Sequence, residues 1–133
     1  MGFKLGREDH PLTYDIIGSA IAVHKQLGPG LRESAYEEPF YMMLKEKGLH
    51  VRRQPRIRIP FEGKLLNKIF VPDFLVADEV VVEIKSVETI SLLHETQLLT
   101  YMKLGEYPLG LLINFNVIRL VDGVRRFINT PRH

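Results

Sequence analysis

The sequence predicts an α/β protein in which helices pack on a mixed sheet, and three observations carry that expectation. Apolar residues recur at helical spacing in the first third of the chain, switch to a period of two from Leu49, and return to helical spacing from Ile90. Two runs, Val80–Ser86 and Leu109–Phe115, are apolar with little alternation, the pattern of strands buried on both faces. The resulting order is α-α-β-β-β-α-β followed by a C-terminal β-hairpin, which folds most simply as one mixed sheet covered by helices. At 133 residues the chain fits a single domain.

Residues 1–11 carry no periodicity and read as a flexible N-terminal arm, with residues 12–133 as the domain. The first helix is expected from Leu12 with Thr13 as N-cap, its apolar face formed by Ile16, Ala20, Val23 and Leu27. Gly28-Pro29-Gly30 stops it. A second helix is expected from Leu31 to Lys47, with Ala35, Phe40, Met43 and Leu44 inward. Pro39 lies inside it, and since an interior proline costs about 3 kcal/mol or bends the helix, a bent but continuous helix is expected. Arg56-Ile57-Arg58-Ile59 then alternates, with the isoleucines inward, and Gly63 marks a turn. Ile69–Val76 and Val80–Ser86 read as neighbouring strands joined by Ala77-Asp78-Glu79. Ile90–Leu104 is the third helix, with Leu92, Leu98, Leu99 and Met102 apolar. After the strand Leu109–Phe115, Val117–Val121 and Val124–Ile128 flank Asp122-Gly123, a two-residue hairpin signal.

The absence of cysteine excludes disulfides, zinc fingers, iron–sulfur clusters and thiol nucleophiles, and fits a cytoplasmic location. No apolar run approaches the ~18 residues of a membrane span, so no membrane partner is expected, and the N-terminus lacks a signal peptide's apolar core. The five histidines show no paired ligand spacing. A net charge of +2 conceals a division: Lys45–Lys68 holds eight basic residues against two acids, and Pro72–Thr100 holds six acids against Lys85 alone. Such neighbouring blocks are either two solvated faces or a polyanion track beside a metal site.

The acidic block contains Val71-Pro72-Asp73 and Glu83-Ile84-Lys85. Alternation puts Glu83 and Lys85 on one face of their strand. Asp73 can oppose Glu83 only if the connecting loop has an odd number of residues, and a three-residue loop, Ala77–Glu79, gives that register. Two carboxylates and an ammonium would then converge, either as a structural ion pair or as hard oxygen ligands for Mg²⁺ or Mn²⁺ with Lys85 beside the attacking water.

Pro72-Asp73…Glu83-Ile84-Lys85, set between a glutamate-bearing helix and a later helix with Gln97-x-x-x-Tyr101, resembles the PD-(D/E)XK nuclease superfamily. Gly30-Leu31-Arg32-Glu33-Ser34-Ala35-Tyr36 is similar to the signature of the GxxExxY protein family, as are His24–Gly30, His94–Tyr101 and Leu111–Asn116 to its other characteristic stretches. The resemblance implies a restriction-endonuclease-like core. It implies Asp73, Glu83 and the Ile84 carbonyl as metal ligands, with Glu33 joining directly or through water. It further implies Lys85 at the attacking water, and Gln97 and Tyr101 beside that lysine and the substrate phosphate. Tyr36 reads as a packing or positioning residue.

The function expected is metal-dependent hydrolysis of phosphodiester bonds in nucleic acid, with DNA as the substrate. Arg52, Arg53, Arg56, Arg58, Lys64 and Lys68 would contact phosphates. A homodimer would present two sites to a duplex. The alternative of a different class is a non-catalytic nucleic-acid-binding or protein-interaction module that retains the nuclease fold.

Overall fold

In a computed structural model, residues 10–129 are described. The expected arm, apart from His10 and Pro11, lies outside the described residues. Helix α1 (Pro11–Leu27) begins before its expected start, because Pro11 occupies the first helical position, where its missing N–H leaves nothing unpaired. His10 is the N-cap, its Nδ1 accepting from the Leu12 amide at 3.2 Å. Thr13 is therefore not the cap. It lies in the first turn and donates its hydroxyl to the His10 carbonyl at 2.9 Å. Ile16, Ala20 and Val23 are buried as expected, whereas Leu27 in the last turn is exposed.

Helix α2 (Glu33–Glu46) runs continuously through Pro39. The bond that Pro39 removes would have gone to the carbonyl of Ala35, four residues earlier, and Ala35 is exposed, so water can take the donor's place. This also corrects the apolar face. Ala35 points outward, and Tyr36, Phe40 and Leu44, at perfect four-residue spacing, point inward.

Five strands form the main sheet in the order β1 (Val51–Arg53), β4 (Phe74–Val76), β5 (Val80–Lys85), β6 (Leu109–Asn114) and β7 (Val124–Ile128). β4 is antiparallel to β1 and β5, β5 and β6 are parallel, and β6 and β7 are antiparallel. Between β5 and β6 the chain crosses over through α3 (Leu92–Gly105). β5 is the central strand and is buried along most of its length, as the unbroken valines predict. Phe74, Val76, Val80, Val82, Ile84, Leu111 and Ile113 face α1 and α2. Leu75, Val81 and Leu112 face Leu98 and Met102 of α3. The molecule is thus three layers, helix–sheet–helix.

Ile69–Val76, which reads as one strand, breaks at Val71–Asp73 between β3 (Lys64–Phe70) and β4, and the period-two region from Leu49 divides at Gln54–Arg56 into β1 and β2 (Ile57–Phe61). Pro55 and Pro72 sit at these breaks, where a residue without an N–H cannot continue a ladder. β2 and β3 pair only with each other, as a ribbon outside the main sheet.

The expected terminal hairpin is not formed. Asp122-Gly123 belongs to a turn of 3₁₀ helix, Leu120–Gly123, and β7 pairs with β6 instead. Gly123 has no positive φ. It is glycine because a Cβ there would collide with the Asn114 carbonyl oxygen. A close approach, not a two-residue turn, explains that residue. Of the apolar residues of α3, Leu98 and Met102 are buried and Leu99 partly so, while Leu92 is exposed in the first turn.

Candidate active site

Ala77, Asp78 and Glu79 form the three-residue connection that sets the site's register. Ala77 and Asp78 both take positive φ, and Glu79 N–H closes the turn on the Val76 carbonyl at 3.0 Å. Val76 then pairs with Val80, Leu75 with Val81 and Phe74 with Val82. The same register carried one residue further sets Asp73 opposite Glu83. Two hydrogen bonds lock the pair reciprocally: the Asp73 amide donates to Glu83 Oε1 at 2.8 Å, and the Ile84 amide donates to Asp73 Oδ2 at 2.8 Å. Asp73 is also held from behind, its carbonyl accepting from the Gln54 amide at 2.8 Å.

These bonds fix one oxygen of each acid on the backbone and leave Asp73 Oδ1 and Glu83 Oε2 without a protein hydrogen-bond donor among the described residues. Lys85 Nζ stands 4.0 Å from Glu83 Oε2. Glu83 and Lys85 are two apart on β5, so they share the α3 side with Val81. Strand carbonyls alternate in direction. Those of Glu79 and Lys85 accept from Leu109 and Phe115 on the β6 side, so the Ile84 carbonyl turns the other way, toward Asp73.

Burial dominates the electrostatics. It raises Glu83 to about 8, with Asp73 adding to the rise and the Asp73 amide and Lys85 opposing it. Burial likewise raises Asp73 to about 6, against the Ile84 hydrogen bond and Lys85. Two neighbouring acids in a poorly solvated cleft keep their protons to higher pH than free carboxylates do, because nothing else neutralises them fully. A divalent cation would do so. Two carboxylates and a strand carbonyl are hard oxygen donors suited to Mg²⁺ or Mn²⁺, which retain several waters.

The remaining residues divide. Gln97 Nε2 donates to the Tyr101 hydroxyl at 2.9 Å, so these two act as one unit on α3. Burial raises the Tyr101 phenol, and Glu83 and Asp73 add to the shift, which puts that hydroxyl in the field of both carboxylates. Tyr101 also stacks on Phe70 at 4.6 Å. Glu33 is exposed in the first turn of α2, across the sheet from α3. Its charge reaches both acids. Still, among the described residues no three His, Asp or Glu side chains gather as a metal-ligating group. His94 is not turned to the site. It completes a capping box with Ser91 at the start of α3.

Tyr36 is buried and stacks on Phe115 at 4.5 Å. Its hydroxyl donates to the Gly28 carbonyl at 2.6 Å and accepts from the Leu31 amide at 3.2 Å. Together with Ser86, which donates to the Leu31 carbonyl, it clips the loop before Glu33 to the end of β5. Asn114 does the same for the chain after β5, bonding both the amide and the carbonyl of Val87.

One acid near the site escaped sequence reasoning. Glu37 also acts on Asp73, and it accepts from Arg53 at 3.2 Å and from Gln54. The available signal was its spacing, four residues after Glu33 on one helix face. The basic block is not a single track. Arg53 is held by Glu37 and lies over the Tyr41 ring, and Arg52 pairs with Asp78 at 3.5 Å. Arg58 donates to the carbonyls of Leu65 and Leu66 where the β2–β3 register shifts. Arg56, Lys64 and Lys68 are exposed and make no ion pair among the described residues.

Over residues 10–127 the sequence matches the family model described as the PD-(D/E)XK nuclease superfamily. The description of that model names the superfamily, and the narrower GxxExxY resemblance rests on the sequence motifs alone. No curated protein and no solved structure matches the chain.

Proposed function

This chain belongs to the PD-(D/E)XK nuclease superfamily, and on that premise we propose that it hydrolyses phosphodiester bonds of DNA at the cleft formed by Asp73, Glu83 and Lys85. The observation that carries the reading is the reciprocal clamp. Backbone amides hold one oxygen of each acid and leave Asp73 Oδ1 and Glu83 Oε2 as a preset pair 4.0 Å, at Oε2, from the Lys85 ammonium.

Asp73, Glu83 and the Ile84 carbonyl would hold Mg²⁺ or Mn²⁺, with Glu33 contributing charge through water. Bound there, the cation would supply Lewis-acid stabilisation of charge growing on the phosphate. Lys85 orients the attacking water and donates to the phosphoryl oxygen. Gln97 orients the Tyr101 hydroxyl, and that hydroxyl donates to a non-bridging phosphate oxygen. The burial that raises Asp73 and Glu83 also excludes bulk water from the cleft, which strengthens each of these contacts.

The test is cleavage of labelled single-stranded, duplex and branched DNA, with matched RNA, in Mg²⁺ or Mn²⁺. Asp73→Ala and Lys85→Ala should each lower the rate by at least a hundredfold with the far-ultraviolet circular dichroism unchanged. Equal activity in the parent and both variants would overturn the assignment. A parent that binds nucleic acid but cleaves none of it would be a non-catalytic module.

A further inference from the structure

The β2–β3 ribbon is not explained by the cleft chemistry. It stands outside the main sheet, and its two strands pair only with each other. Glu62 and Gly63, both at positive φ, close it in a two-residue turn, the tight primed geometry that keeps a ribbon's twist intact to its tip. Phe61 is 61% exposed and Leu65 59% exposed, and the register places them on opposite faces, Phe61 across from Lys64 and Leu65 across from Pro60. Lys64 lies beside Leu65 and Lys68 three residues beyond it, and Arg56 precedes the ribbon.

The faces of the ribbon are not equivalent. Ile57, Ile59 and Phe61 alternate onto one face, shared by the cross-strand partners Phe70 of Ile57 and Lys64 of Phe61. That face starts at Phe70, stacked on Tyr101 at the cleft, and ends at the exposed Phe61 and Lys64. Four residues of strand separate Ile57 from Phe61, about 13 Å. Along a duplex this corresponds to about four base pairs.

We propose that the ribbon is a duplex-engaging arm: it lies in a groove of the nucleic acid roughly four base pairs from the scissile phosphate, Phe61 touching the groove and Lys64 and Lys68, on the same face, contacting phosphates. This rests on the nuclease reading for its anchor at Tyr101. The major groove admits a two-stranded ribbon. The charge is complementary to a polyanion, since the strands and turn carry Arg58, Lys64 and Lys68 against Glu62 alone. Arg58 is committed to the carbonyls of Leu65 and Leu66, so it braces the arm and leaves the contact to the two lysines.

Binding of a fluorescent DNA duplex, measured by anisotropy in EDTA against salt concentration, tests the arm without any cleavage. Measured in an Asp73→Ala background, the double variant Lys64→Ala/Lys68→Ala should flatten the slope of log K against log salt by about two. Phe61→Ser should weaken duplex binding by roughly tenfold. Wild-type affinity and slope in both ribbon variants would overturn the arm while leaving cleavage to judge the nuclease reading. Ribbon-dependent duplex binding in a parent that cleaves nothing would keep the arm and overturn the nuclease. An unchanged melting temperature in the variants confirms that the exposed substitutions leave the fold intact.

Discussion

Glu83 is where the physical tension of this molecule is concentrated. An acid 7% exposed on the central strand, beside Asp73, has its folded pKa raised to about 8. The unfolded chain releases that proton near pH 4. Between those values the native state holds more protons than the unfolded state, so metal-free stability falls as pH rises through the window. Asp73 acts in the same direction up to about pH 6. Glu83→Gln, which cannot ionise, should therefore raise the melting temperature in EDTA at pH 8 by roughly 4 °C or more, with the gain vanishing near pH 4. Calorimetry of both proteins across that range checks the sign, and a variant less stable than the parent at pH 8 would contradict it. Tyr36 is the opposite kind of residue, buried and fully used. Tyr36→Phe removes the donor to the Gly28 carbonyl and the acceptor for the Leu31 amide. A loss of about 1–2 kcal/mol is expected from urea unfolding.

Among the elements, the breaks matter as much as the strands. Pro55 lies where the chain leaves the sheet for the ribbon and Pro72 where it returns, and the second break is what presents Asp73 at the mouth of β4. The Gln54 amide ties the two breaks together at the Asp73 carbonyl. The last connection makes a prediction that separates two explanations of one glycine. A primed hairpin turn at Asp122-Gly123 would tolerate asparagine, which accepts positive φ. The observed 3₁₀ turn would not tolerate any Cβ at Gly123, which faces the Asn114 carbonyl. Gly123→Asn and Gly123→Ala should thus destabilise alike, by about 1–3 kcal/mol, in denaturant titrations.

Across the whole molecule, three layers bring one chemical group together from distant stretches of sequence. The α3 layer and the sheet supply Gln97, Tyr101, Glu83 and Lys85, and α2 on the far side supplies Glu33 and Glu37 as outlying charge. No helix of the described residues is long and apolar enough to cross a membrane. Under the proposed function, a cation that binds the native cleft raises the melting temperature by mass action. Protons compete for Asp73 and Glu83, so the shift with Mn²⁺ should be larger at pH 8 than at pH 6 and absent in Asp73→Ala. Thermal scans with and without the ion measure it, and an equal shift in the variant would place the ion elsewhere.

The sequence by itself determined the layered α/β class, the central position of β5 and the register that sets Asp73 against Glu83. Each depends on a local signal: helical or strand periodicity, an unbroken valine run, and the parity of a three-residue loop. Glu33 was legible as a carboxylate but not as one kept across the sheet, because helix placement is decided by which apolar face finds a partner. Local patterning could not show that the period-two region from Leu49 and the run Ile69–Val76 each serve two sheets, since a proline within an alternating run marks a boundary without saying where the chain goes next. Nor could it show that Asp122-Gly123 is not a hairpin, because the constraint on Gly123 comes from a carbonyl nine residues earlier, pressed against it only in the folded state. The basic block shows the same limit. Composition counted its charges, but only tertiary structure committed Arg52, Arg53 and Arg58 to partners within the chain and left Lys64 and Lys68 exposed on a projecting ribbon.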